Sequence, residues 1–464
     1  MKRVLGLALA AAAVYAALLL DAPPAAEGPD FAGPQERESV ALATASVWYC
    51  PWVASGALRD STVMIAATVP VSAELTVPQQ IAGEDPDVAE YSIGQAGALA
   101  IPVGEIVRRG DTPLFLEFSD GPAAAAVVEV SNELLTGDAC VARIPKVWEL
   151  PGGTTREGRN LTLRLFNPFP ELAKVSVSGI SESGETGLID LQNLDVAGRT
   201  WQDVGLNALV PLLDDHSLIF TSSDGIVIPS LVVAGTTDEA SWPGVAPATN
   251  WEFPVATISR DFAPSLMLTN RSEVAVTAVI DVYSDQGATI DAREVIVDPF
   301  IPRRVDLGDL ADGAMGVRVR SAAPLAAVVL AEESLAVFEA TGEEGVIDDA
   351  ESIRGDRIAG TIGVSSPATQ WLLPGLQGVA GGESTIWILN TGADAATVTL
   401  QPLGAFAHPV SKQSVPPGSV LGVPLGYDLS VAGYLVESSV PVSISWSVES
   451  PTGIMFVAGT VVGG

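Results

Sequence analysis

From Trp48 onward, apolar side chains return at every second position in short runs, as in Val63-x-Ile65, Val175-x-Val177 and Val398-x-Leu400. Gly, Pro, Asn and Asp separate the runs. Period two marks strands that bury one face, and the separators are turn formers. No stretch after residue 20 carries a long 3.6-residue stripe, so helices are not expected there.

The runs repeat. A Trp-x-x-Pro frame occurs as Trp48-Tyr49-Cys50-Pro51, Trp148-Glu149-Leu150-Pro151, Trp251-Glu252-Phe253-Pro254 and Trp371-Leu372-Leu373-Pro374, at spacings of 100, 103 and 120 residues. Nineteen residues after each Trp, an alternating strand ends in Asn167, Asn270 or Asn390; the first copy has Ala67 there. A Gly turn follows (Gly184, Gly287, more loosely Gly404). Late in each copy, a polar turn separates two apolar strands: Ser119-Asp120-Gly121-Pro122, Ser222-Ser223-Asp224-Gly225, Ser321-Ala322-Ala323-Pro324 and Ser438-Ser439-Val440-Pro441. The pattern predicts an all-β protein of four tandem immunoglobulin-like β-sandwich repeats, over 46–146, 147–246, 247–366 and 367–464. A propeller-like closed β array is the alternative, although propeller blades have only about four strands. The third repeat is longer, and its surplus falls in an acidic insert, 339–358.

Ahead of the repeats, Met1-Lys2-Arg3 precedes an uncharged run from Val4 to Leu20. As a helix this run would span roughly 26 Å, near the lower limit for crossing a bilayer. Residues 1–20 therefore read as a signal peptide or a signal anchor. No Ala-x-Ala site follows, which favours an anchor helix in the membrane with the bulk outside. Residues 21–45, rich in Pro, Ala and acids, read as a spacer.

Composition narrows the function classes. The formal charge of −33 repels phosphate backbones and argues against nucleic-acid binding. Cys50 and Cys140 are the only cysteines, and outside the cell such a pair predicts a disulfide across the first repeat. Trp48, Trp148, Trp251 and Trp371 share a strand face with the apolar residue two positions on, so they are expected in cores rather than under sugars. Trp52, Trp201, Trp242, Trp387 and Trp446 lie outside the frame and are the better candidates for exposed aromatics. His216 and His408 are the only histidines. Asp214-Asp215-His216-Ser217 has triad residue types, but chain neighbours cannot adopt triad geometry, so a solvated loop is expected. The acidic insert could bind Ca²⁺, yet it lacks the spacing of a dedicated loop, and no cofactor is expected. Asn160-Leu161-Thr162 and Asn270-Arg271-Ser272 match the glycosylation sequon; with only four lysines the Ala-rich chain looks bacterial, and the sequons read as coincidence.

The N-terminal anchor, the Trp-x-x-Pro start, the alternating strand ending in Asn and the late Ser-x-x-Pro turn resemble an actinobacterial family of secreted or membrane-anchored envelope proteins of unknown function. The resemblance covers nearly the whole chain from residue 46. It implies an envelope location and carries over no catalytic residue. Tandem sandwiches, a tether and no reactive cluster predict a non-enzymatic envelope protein that holds an envelope protein or polysaccharide outside the membrane. An accessory subunit of a membrane glycosyltransferase or transport complex is one rival. A carbohydrate-binding or glycan-active protein is another; its sign would be an open cleft with non-frame Trps and two facing carboxylates.

Overall fold

The computed structural model describes residues 47–55, 59–94, 97–107, 110–130, 134–145, 147–257, 262–310, 313–335, 353–375, 382–404, 408–426, 428, 430–450 and 453–462. The expected anchor over 1–20, the spacer over 21–45 and most of the acidic insert lie outside the described residues. The described chain is all-β, with two single-turn 3-10 segments at Val103–Glu105 and Ile189–Leu191. No helix among the described residues is long and apolar enough to cross a membrane.

The first set of strands is β1 (Val47–Val53), β2 (Ser61–Ala67), β3 (Val71–Val77), β4 (Asp87–Ile93), β5 (Ala98–Pro102), β6 (Thr112–Ser119), β7 (Ala123–Val130) and β8 (Leu135–Ala139). They form two antiparallel sheets, β1-β6-β3-β4 and β5-β2-β7-β8. The second set is β9 (Val147–Gly153), β10 (Asn160–Asn167), β11 (Ala173–Ser181), β12 (Gly184–Gly187), β13 (Leu194–Val196), β14 (Thr200–Gly205), β15 (His216–Asp224), β16 (Ile228–Ala234) and β17 (Glu239–Pro243). Its sheets are β9-β15-β11-β12, with β13 also on β11, and β14-β10-β16-β17. The third set is β18 (Ala248–Thr257), β19 (Phe262–Thr269), β20 (Val276–Ser284), β21 (Gly287–Val297), β22 (Arg303–Asp306), β23 (Met315–Leu335) and β24 (Ile353–Ile362). The fourth is β25 (Ala368–Pro374), β26 (Glu383–Asn390), β27 (Ala396–Gly404), β28 (Ser411–Val415), β29 (Ser419–Leu425), β30 (Val431–Ser450), β31 (Gly453–Ala458) and β32 (Thr460–Val461). Here β23 and β30 each serve both sheets: β23 joins β18 and β20 with its first half, then β19 and β24 with its second. One strand order therefore recurs four times, each time as two sheets facing across an apolar core.

The late turn differs from expectation in the third and fourth sets. Asp120 (φ 77°) and Gly225 (φ 66°) reverse the chain in the first two. Ser321–Pro324 and Ser438–Pro441 hold no glycine, and the chain stays extended through both, so one long strand crosses between sheets.

The final strands meet at a common axis. β8 touches β17, β17 touches β24, β24 touches β31, and β31 returns to β8. The four sets thus contact one another in a closed circuit through these strands. Apolar clusters cross the boundaries. Leu372, Leu403 and Val462 of the fourth set pack in the first core, while Met64, Ala126, Val128 and Leu135 of the first pack in the fourth. The axis is filled: Gly137 lies against Met455, and a Cβ on Gly360 would stand 2.5 Å from Trp242.

Candidate functional site

The four frame tryptophans are buried, at 4%, 2%, 5% and 0% exposure for Trp48, Trp148, Trp251 and Trp371. Alternation places the following residue on the opposite face, yet Tyr49, Glu149, Glu252 and Leu372 are buried too. That face meets the next set. Tyr49 packs near Phe166 and Phe169, Glu149 lies 3.5 Å from Arg271, and Glu252 accepts hydrogen bonds from Thr391 (3.0 Å) and Ser443 (2.6 Å). Leu372 enters the first core. The frame is thus a joint as well as a core anchor.

The landmark asparagines do one job three times. Asn270 Nδ2 donates to the carbonyls of Val274 (2.8 Å) and Val297 (2.9 Å), and its Oδ1 accepts the Ser272 amide (2.9 Å). Asn167 bonds Glu171, Val196 and Phe169 in the same way, and Asn390 bonds Asp394, Val415 and Gly392. Each ties the turn after its strand to a distant loop.

Cys50 and Cys140 are bonded, with Cα atoms 4.5 Å apart. They join β1 to the segment that pairs beside it through Tyr49 and Val141. The corresponding segments in the other sets carry Gly244, Gly363 and Gly459, whose missing Cβ leaves room for Trp148, Phe253 and Leu373 respectively.

Three expectations are corrected. His216 is no solvated loop residue: it starts β15, is buried, and is held neutral because burial lowers its pKa to about 4. Its segment faces the third set, with Asp215 on Arg304 (2.7 Å) and Ser217 accepting from Thr269 (3.1 Å). Trp52, Trp242, Trp387 and Trp446 are buried because they fill the space between sets or sheets; Trp201 alone of the five is half-buried, with Arg164 over its ring at 4.8 Å. Third, the late turn is absent from two sets, as described above.

Reactive groupings are few among the described residues. Ser430 Oγ lies 3.2 Å from His408 Nε2, and His408 Nδ1 lies 3.6 Å from Asp428. In a triad the carboxylate sits beyond the imidazole, away from the serine. Here Ser430 donates directly to Asp428 at 2.6 Å, so its proton is already committed to the carboxylate. No group of three or more His, Cys, Asp or Glu side chains is placed to hold a metal ion among the described residues. Other charges, buried or partly buried, join sets. Arg59 donates to both Glu129 (2.7 Å) and Glu239 (2.6 Å). Asp238 accepts the Ile358 amide (2.9 Å), and burial lifts its pKa to about 7.

An open cleft of about 320 Å³ lies where the first set meets the second; a larger open one, about 550 Å³, lies within the second set beside Arg156, Asn160, Asn207 and Thr236. The floor of the first is Tyr49, Thr76 and Phe115, one wall carries Glu74 and Glu117, and the other is Pro168, Phe169 and Arg199. Burial and the Glu117 charge push the Tyr49 hydroxyl up to about 12. Nothing in the sequence pattern marks this cleft, because strand register alone brings its residues together.

A protein family described as "Family of unknown function (DUF5719)" matches residues 121–337 and 240–453. The first match takes in β7 to β23, the second β18 to β30, so the same family pattern fits twice with a shift of about one set. No curated protein matches. Among solved structures, the crystal structure of Thermotoga maritima 1070 matches at 22% identity, covering 20% of this chain and 93% of that one, with a TM-score of 0.18.

Proposed function

Because the chain belongs to the family of unknown function DUF5719, which brings no activity with it, we propose a function from the chain's own geometry: a non-enzymatic, extracytoplasmic envelope protein, built of four immunoglobulin-like sandwiches, that holds a partner outside the membrane. The observation that carries this reading is where the polar chemistry goes. Buried acids such as Glu129 and Glu239, bridged by the partly exposed Arg59, and Glu252 and Asp238 join one set to the next. The clefts that face solvent are open and shallow. The disulfide supports an oxidising compartment, and the basic start before an uncharged run supports a tether. A glycosidase is disfavoured because Glu74 and Glu117 are direct cross-strand neighbours. They approach a ligand from one side, whereas glycosidase carboxylates flank the scissile bond.

The test uses full-length protein purified in detergent from its producing cells. Stoichiometric retention of a protein or polymer, without turnover of wall glycans, is expected. Glycan turnover that disappears with one Asp or Glu substitution overturns the proposal.

A further inference from the structure

We propose that the cleft between the first two sets is a docking groove for a basic polypeptide segment, with arginine or lysine alternating with apolar residues. This rests on the binding role above and names the partner chemistry which that role leaves open.

Glu90 of β4 stands opposite Glu74 of β3, and Glu74 stands opposite Glu117 of β6. Three exposed carboxylates thus run across three neighbouring strands, roughly 10 Å from end to end. Like charges directly opposite each other destabilise a sheet. Among the described residues no Lys or Arg forms an ion pair with any of them. The other sets provide an internal comparison. The same row reads Thr221 and Ser176 in the second set, Arg320, Val279 and Glu294 in the third, and Glu437, Thr399 and Lys412 in the fourth. There each charge is absent or accompanied by its opposite. The fold therefore does not require acids at this row, and the first set carries them at a cost.

Beside the row lies a second one of different character, Val88, Thr76, Phe115 and Tyr49. Phe169, brought in from the second set, lies 6.1 Å from the Tyr49 ring. Carboxylates next to aromatic faces suit a guanidinium or ammonium group on a flexible stem, which can pair with the acids while its methylenes cover the rings. An extended segment turns alternate side chains to opposite sides, so its cations can meet the acidic wall while its apolar residues meet the floor.

The experiment titrates full-length protein in detergent with a labelled Arg-Pro-Arg-Pro-Arg-Pro peptide and reads fluorescence anisotropy. Saturable binding that weakens with salt is expected. Glu74→Gln/Glu90→Gln/Glu117→Gln should weaken it at least about tenfold, since the peptide's cations lose their charged partners. Phe169→Ala should also weaken it, and Glu-Pro-Glu-Pro-Glu-Pro should not bind. A control, Glu182→Gln/Glu185→Gln/Asp190→Asn, removes three exposed acids elsewhere. If the control loses as much as the cleft variant, or Phe169→Ala loses nothing, general attraction to an acidic protein explains the data and the proposal is overturned. If the cleft variant still retains the partner found in the preceding test, the groove assignment fails and the binding role stands.

Discussion

Asn270 is a single side chain holding two strands' loops in register through three hydrogen bonds, the one to Val297 buried. Asn270→Ala leaves the Val297 carbonyl and the Ser272 amide without that partner, while the Val274 carbonyl keeps the Ser272 hydroxyl at 2.8 Å. At about 1–3 kcal/mol per unsatisfied buried group, a loss of about 1–3 kcal/mol is expected in urea unfolding. Trp251, which donates to the Leu325 carbonyl at 2.7 Å, should cost more: about 3–5 kcal/mol for Trp251→Ala, as for emptying a buried aromatic site. An unchanged transition would place the ring outside the core. Glu149 gives a pH signature. Burial, only partly opposed by Arg271, lifts its pKa to about 8 from 4.5. A raised carboxyl keeps its proton in the folded state after the unfolded chain has lost it. Its contribution is therefore full below pH 4.5 and is lost as pH rises through 8. Glu149→Gln should flatten this decline by up to about 1.4 kcal/mol per pH unit; an unaltered pH profile would show that Glu149 titrates normally. The asparagines were legible in sequence because three copies share one interval. Glu149 was not: alternation says which face a residue occupies, and nothing local says that another set covers that face.

At the scale of the strand, β1 is joined to its closing segment by a disulfide where the other sets use a large side chain over a glycine. Opening a 90-residue loop should cost about 4 kcal/mol in the chain-entropy model. Cys50→Ser/Cys140→Ser should lose that amount and gain an imperfectly filled site. Cys50→Leu/Cys140→Gly copies the pairing of Leu373 with Gly459 and should lose less. Equal midpoints for the two variants in thermal unfolding would sink this account. Because Tyr49, next to Cys50, packs against Phe166 and Phe169, loosening should reach the second set. Strand periodicity, the Trp frame and the cysteine pair gave away these elements. The unbroken β23 and β30 did not announce themselves, since Ser321–Pro324 has turn-like composition and only the lack of a left-handed residue distinguishes it.

The whole ring depends on neighbours. Between the fourth and first sets the contact is largely apolar, with Met64, Val128 and Leu135 on one side and Leu372, Leu403 and Val462 on the other. Deleting residues 367–464 should uncover these faces on the first set, and Val255, Phe262 and Tyr283 on the third. Dye binding to exposed apolar surface and association are the expected readouts; a monomeric fragment with an unchanged melting temperature would mean the sets stand alone. Ring closure was the least legible feature, because contacts between β31 and β8 join residues some three hundred positions apart. The axis carries one more consequence. Met455 lies against Gly137, whose counterpart in the fourth set is Phe456, and Trp242 lies against Gly360, whose counterpart in the second is Ser241. Four identical copies of the fourth set would bring Met against Phe at that level, and four of the third would leave Gly360 facing Thr361 in place of an indole. Bulk on one copy answers a gap on the next. The divergence that blurs the repeat along the chain is therefore also what fits its four copies to one another at these two contacts on the axis.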